Sequence, residues 1–198
     1  MSLARASGVL LHPTSLPGPH GSGDFGAEAF HFVDWLAQAG QRLWQTLPLG
    51  GIGPGNSPYM STSAFAGNVL LIDLDGLKAE GWLTEQEVIP DAGWRADRVD
   101  FPVVAGWRME RLQQAAKRFA DGAGPQQRSE FQEFCLRQSS WLHDYALFMT
   151  LADAHGGALW STWAPLLRSR DHGALLAAAS QYTGGVLFWQ FCQWCFDR

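Results

Sequence analysis

Residues 50–68 read GGIGPGNSPYMSTSAFAGN and carry hydrogen-bonding groups with almost no charge. Ser57, Tyr59, Ser61, Thr62 and Ser63 crowd hydroxyls into one short run. Each hydroxyl both donates and accepts. Glycines let a backbone come close to a ligand, and prolines limit a loop's freedom before binding. A neutral polyhydroxyl ligand suits that set. A phosphate would prefer Lys, Arg or a glycine loop opening a helix, and none of these is evident.

Other residues could carry chemistry, and most have a plainer use. Glycosyl chemistry would need two carboxyl groups close together. Asp73 and Asp75 in LIDLDGL are spaced by two, which suits a cap or a turn. Asp171-His172 resembles an acid–base pair, but a charged turn before an alanine-rich stretch favours N-capping. Cys192 and Cys195 form C-x-x-C, with no second cysteine pair or histidine cluster nearby. At i and i+3 of a helix, both thiols share a face with Phe188 and Phe196 and read as packing. With Cys135 there are three cysteines, an odd and small number that argues for a reducing compartment rather than a disulfide framework. His12 has the better address for function, because it closes an apolar run. No H-E-x-x-H, G-x-S-x-G, P-loop or G-x-G-x-x-G occurs.

Composition narrows the partners. The net charge is −5 and basic residues are scattered, which excludes nucleic acid and anionic membrane surfaces as expected partners. No apolar run has the length to span a bilayer, and the N-terminus lacks a secretory signal. A cytoplasmic location fits. Ten tryptophans in 198 residues are several times the usual share. Singly, each fills core; together they suit a carbohydrate ligand, because sugar C–H faces stack on indole rings.

Two elements must position the hydroxyl loop. GVLLH (8–12) and RLWQTLPL (42–49) read as buried strands ended by Pro13 and Pro48. Between them Phe25, Ala29, Phe32, Val33 and Leu36 fall at helical spacing, with Asp24 placed to cap and Gly40 to stop the helix. Strand, helix, strand with short links predicts parallel neighbours. In such α/β folds the loops after the strands form the working face. Here these are HPTSLPGPHGSG and the loop from Pro48. Beyond VLLIDLDGL the rhythm stops, and 103–121, 127–155 and 171–198 read as mainly helical, with Gly156-Gly157 as a break. Two strands cannot close a sheet against solvent, so the chain is expected to be the N-terminal portion of a larger protein.

GVLLHPTSLPGPHGSGDFG, WQTLPLG, GNSPYMSTSAFAGN, VLLIDLDGL, WLHDYALFMTL and FWQFCQWCFDR occur in this order. Together they resemble the N-terminal part of the 4-α-glucanotransferases, also called amylomaltases or disproportionating enzymes. The resemblance implies an α/β fold, the first two parallel strands of a (β/α)8 barrel with a large, mainly helical inserted subdomain. Barrel would occupy 1–73, the insertion 74–180, and a helix leading back to the barrel 181–198. It also implies transfer of α-1,4-glucan segments to the 4-hydroxyl of an acceptor by a retaining double displacement, with maltooligosaccharides as partners and no metal or cofactor.

The family's three catalytic carboxylates lie in R-I-D-H-, E-D-L-G- and T-H-D-N-like blocks, and none of these occurs here. The chain alone is therefore expected to be inactive. What carries over is S-P-Y. Ser57 and Tyr59 match positions lining the acceptor side of the cleft, Ser57 to bond a glucose hydroxyl and Tyr59 to stack or bond. Asn56 stands where the family often has Asp. Pro54 and Phe101 stand where some members have tyrosines of a secondary glucan site, and Phe101 could still stack. Two other readings remain open: a non-catalytic glucan-binding module and a helical interaction domain.

Overall fold

The computed structural model describes residues 5–90, 93–95 and 97–198, with Pro54 described by its backbone alone. Contacts divide the chain into two compact units, Met1–Phe119 and Ala120–Arg198.

In the first unit, β1 (Gly8–Leu10) and β2 (Leu43–Gln45) pair in parallel, with Gly8 opposite Leu43, Val9 opposite Trp44 and Leu10 opposite Gln45. They are joined by α1 (Ala27–Gln38), the expected strand–helix–strand unit. Ala29 and Leu36 turn inward on α1. The helix ends where Gly40 takes φ +70°, a conformation that costs glycine little. Each strand is only three residues long, shorter than the apolar runs suggested. Both strands are also far from buried, with Leu10 58% and Leu43 50% exposed. Parallel strands bury both faces only between covering layers, and two strands with one helix cannot supply them. Val33, expected on the buried face of α1, is exposed too.

Asp24 does not cap α1. The N-cap is Gly26, and Asp24 Oδ1 accepts from the Gly26 N–H at 3.0 Å. Its other oxygen is taken by a buried arginine described below. The unit continues with a turn at Val69–Leu71, α2 (Leu74–Ala79) and α3 (Phe101–Gly122). Asp73 caps α2, accepting from the Asp75 N–H at 3.0 Å.

The second unit is all helix: α4 (Pro125–Arg137), α5 (Leu142–Ala154), α6 (Pro165–Arg168), α7 (His172–Gln181) and α8 (Thr183–Asp197). The stretch 127–155, expected as one helical run, breaks between α4 and α5. Gly156 and Gly157 both take positive φ just past α5, and Asp171 caps α7 by accepting from the Ala174 N–H at 2.9 Å. The core is the packing of α5 on α8. Phe191 and Cys192 of α8 are wholly buried. Desolvation pushes the Cys192 thiol well above its ordinary pKa, as an inert packing residue requires. No disulfide joins the cysteines.

Candidate functional site

The loop after β2 is folded by its own side chains. The Gly53 N–H donates to the Ser57 carbonyl at 3.0 Å, and the Met60 N–H to the same oxygen at 3.3 Å. Any side chain at Gly53 would collide with the Met60 backbone, so the close approach requires glycine. Asn56 turns the chain at φ +58°, within the range that asparagine tolerates best among non-glycine residues. The Ser57 hydroxyl oxygen accepts from the Tyr59 N–H at 3.3 Å, which fixes the S-P-Y segment as a small turn. The result presents Tyr59, 70% exposed, with its ring uncovered.

Not every hydroxyl is free for a ligand. Ser61 Oγ donates to the Ser63 carbonyl at 2.9 Å, and Ser63 Oγ accepts from the N–H groups of Phe65 and Ala66 at 3.1 Å. These two serines are structural, because the loop's orphan backbone groups need partners. Ser57 and Tyr59 keep hydroxyl capacity for an outside partner.

The loop after β1 starts from the same end of the strand pair, as parallel pairing demands. His12 sits at its base and caps the turn Pro13–Ser15: its Nδ1 accepts from the Thr14 N–H at 3.4 Å and meets Thr14 Oγ1 at 2.8 Å. That arrangement leaves the ring proton on Nε2, which is buried without a hydrogen bond of ordinary length. Desolvation holds the imidazole below its usual pKa, and the Pro48 backbone close by partly offsets this. His12 thus lies where the second loop begins. Its ring is spent on shaping the first loop rather than offered to solvent.

The far end of the first loop is held by a residue the sequence reading passed over. Arg108 of α3 is completely buried. It donates to Asp24 Oδ2 at 2.9 Å, to the His20 carbonyl at 3.4 Å and to the Ile72 carbonyl. His20 is itself buried, with Nε2 3.2 Å from Asp75 and its ring stacked on Trp107 at 5.8 Å. Asp75 also meets Lys78 at 2.9 Å, and those partners hold its carboxyl below the usual range despite partial desolvation. Asp73 goes the other way, raised by desolvation. In the sequence, Arg108 carries no mark apart from its place in a helical stretch. Only the stripe of buried neighbours, Val104 and Leu112, betrayed its face.

Phe101, the remaining candidate, opens α3 and is half buried. Neither it nor Tyr59 makes a ring contact among the described residues, so the two rings do not stack on each other. The reading of Pro54 concerns a side chain outside the described residues. Two exposed apolar groups on the second loop were missed: Met60, and Phe65, which at 72% is as exposed as Tyr59. Among the described residues no cluster of three or more His, Cys, Asp or Glu could hold a metal ion.

A family model described as 4-alpha-glucanotransferase matches residues 11–198. The chain belongs to the 4-alpha-glucanotransferase family. It is 47% identical over 198 residues to the 4-alpha-glucanotransferase of Thermus thermophilus, covering 100% of this chain and 39% of that protein. It is 44% identical over 189 residues to that of Synechocystis sp., covering 96% of this chain and 37% of the relative. The chain therefore spans about two fifths of the length of such relatives. Among solved structures it is similar to an amylomaltase from Streptococcus agalactiae in complex with acarbose, with TM-score 0.92 and 34% identity over 98% of this chain and 39% of that one. The amylomaltase of Corynebacterium glutamicum shares the fold at TM-score 0.71 and 18% identity, covering 97% of this chain and 27% of that one. The fold is that of part of an amylomaltase: two parallel barrel strands followed by mainly helical structure.

Proposed function

We propose that the protein carrying this chain is a 4-α-glucanotransferase and that the chain supplies acceptor-side binding rather than the reacting carboxylates. The carrying observation is the match across nearly the whole chain to proteins of that activity. The similar Streptococcus agalactiae structure, an amylomaltase in complex with acarbose, supports a carbohydrate ligand. α-1,4-Glucans and maltooligosaccharides are the proposed partners, the cytoplasm the proposed location, and 1–73, 74–180 and 181–198 the proposed barrel, insertion and return helix. No helix among the described residues is long and apolar enough to cross a membrane.

The reaction is a double displacement. A carboxylate attacks the anomeric carbon while the glycosidic C–O bond breaks and a second carboxyl protonates the departing oxygen. The acceptor 4-hydroxyl then attacks the glycosyl-enzyme, and its proton returns to that second carboxylate. The candidate carboxylates in this chain are otherwise engaged: Asp24 with Arg108, Asp73 and Asp171 as helix caps, Asp75 with Lys78 and His20. Ser57 and Tyr59 instead offer a hydroxyl and an open ring to an acceptor glucose, with Asn56 at the turn beside them. His12 sets the base of the cleft, and Phe101 is a further stacking surface.

The test is Tyr59→Ala in the full chain that carries these residues, with glucose release from maltotriose as the readout. Loss of one stacking and hydrogen-bonding ring should cost roughly 1–3 kcal/mol of acceptor binding, seen as a lower transfer rate at low acceptor. An unchanged rate at low acceptor removes Tyr59 from the cleft. Residues 1–198 alone should release no glucose. Binding without turnover in the full chain would favour a glucan-binding module.

A further inference from the structure

The helical unit holds a cavity lined by none of the residues proposed to bind glucan. α5 buries Leu142, Ala146 and Thr150. Asp144, Leu147, Phe148 and Leu151 recur at i, i+3, i+4 and i+7 and form a stripe along α5. The chain from Trp160 to Leu175 folds over that stripe and encloses a cavity of about 320 Å3. That is enough for a small organic molecule. Its floor is preformed. Trp163 is buried there, 5.5 Å from the Phe148 ring and 5.0 Å from the His155 ring, with its indole N–H donating to the Ala158 carbonyl at 3.2 Å.

The rim is charged and unevenly neutralised. Arg170 follows the end of α6 at φ +58°, where glycine is usual, and the Asp171 N–H closes that turn on the Leu166 carbonyl. An arginine tolerates this conformation at some cost. In return its guanidinium reaches Asp144 on α5 at 2.6 Å, which pins one wall of the cavity and cancels its charge. Arg168 has no such partner. Among the described residues its guanidinium makes one hydrogen bond, a long one of 3.3 Å to the Ser161 carbonyl. Trp160, 54% exposed, stands at the mouth beside it.

We propose that this cavity binds a small amphipathic anion, with an apolar ring or chain against Leu147, Phe148, Leu151 and Leu167 and one carboxylate or sulfonate on Arg168. Leucine and phenylalanine make up half of the lining, so an apolar body fits it better than a sugar, whose buried hydroxyls would lose water for few partners. The unneutralised guanidinium at the opening selects for a negative head.

8-Anilinonaphthalene-1-sulfonate is the probe, titrated into the full protein by fluorescence. A single saturable site is expected, with decanoate displacing the dye and maltotriose leaving it in place. Arg168→Glu should weaken binding roughly tenfold or more, because it removes one charge-assisted hydrogen bond and sets a like charge against the anion. Arg168→Gln should weaken it less, and Trp160→Ala should weaken it for charged and neutral dyes alike. The neutral N-phenyl-1-naphthylamine should bind wild type and Arg168→Glu equally. Arg168 is exposed, and far-UV circular dichroism checks that each variant folds. An unsaturable signal, an equal midpoint in Arg168→Glu, or displacement by maltotriose overturns the proposal.

Discussion

In the first unit the two strands are short and bare, and the loops are held by polar clamps. In the second, α5 and α8 bury one another, and the ion pairs lie outside. Leu10 and Leu43 show half or more of their surface, whereas Phe191 shows none. The difference follows from geometry. A helix buries an apolar stripe against a single neighbour, but a parallel strand has two faces to cover. The loops that carry Ser57 and Tyr59 therefore owe their shape to something other than a finished sheet. They owe it to prolines and serine turns, as the first loop owes its shape to Arg108.

The comparison breaks most easily in the second unit. Phe191→Ala removes a wholly buried ring of α8, packed 6.1 Å from Trp194. It should destabilise by about 3–5 kcal/mol, the transfer and cavity cost of such a truncation. Urea unfolding followed by far-UV circular dichroism measures it. A loss near 1 kcal/mol would mean that the α5–α8 core is not what holds these helices.

Arg108→Leu probes the clamp in the first unit. It strands Asp24 and the carbonyls of His20 and Ile72 without their donor. Breaking a buried pair costs several kcal/mol; Asp24 keeps some contact with water, so roughly 2–4 kcal/mol is expected. Arg108→Lys should recover little, because a single ammonium cannot reproduce the spread of a guanidinium over three acceptors. Near-complete rescue by lysine would show that only the charge matters and that the loop positions itself.

Much of this was legible beforehand, for reasons that differ by element. The β1–α1–β2 unit showed in its spacing and its terminal Gly40, and the parallel pairing followed from connection length. The caps at Asp73 and Asp171 were readable because a short carboxylate before a helical pattern has few other uses. Asp24 looked the same and was not, since a partner 84 residues away in α3 claimed it. Local sequence cannot show a long-range ion pair. The strands' exposure was hidden too, because apolar runs report what a strand would bury, not what is present to cover it. At the site, Ser57 and Tyr59 were singled out by chemistry and family. Ser61 and Ser63 carry the same group, and only the fold shows them spent on the loop's own backbone. The unbalanced Arg168 was invisible, because its neighbour Arg170 reads identically until Asp144 is seen beside it.

The smallest effect sharpens the contrast between polar clamps inside and outside the fold. In the first unit Arg118 grips Glu87 through two hydrogen bonds of 2.7 Å and also donates to the Trp82 carbonyl. Those bonds from Arg118 bring the Glu87 carboxyl down to about 2 from its ordinary 4.5. A carboxyl with a depressed folded-state pKa stabilises fully above its unfolded value. That stabilisation is lost as pH falls from about 4.5 through about 2. Both side chains keep contact with solvent, so the gain at neutral pH is about 1 kcal/mol or less. Glu87→Gln should therefore lower the melting temperature slightly at pH 6 and converge on wild type near pH 2. Arg137 and Asp197 in the second unit also pair, at 3.0 Å, but both are largely exposed. Arg137→Gln should shift the melting temperature at no pH. If the two variants trace the same curve, the Arg118–Glu87 clamp is no more than a surface pair.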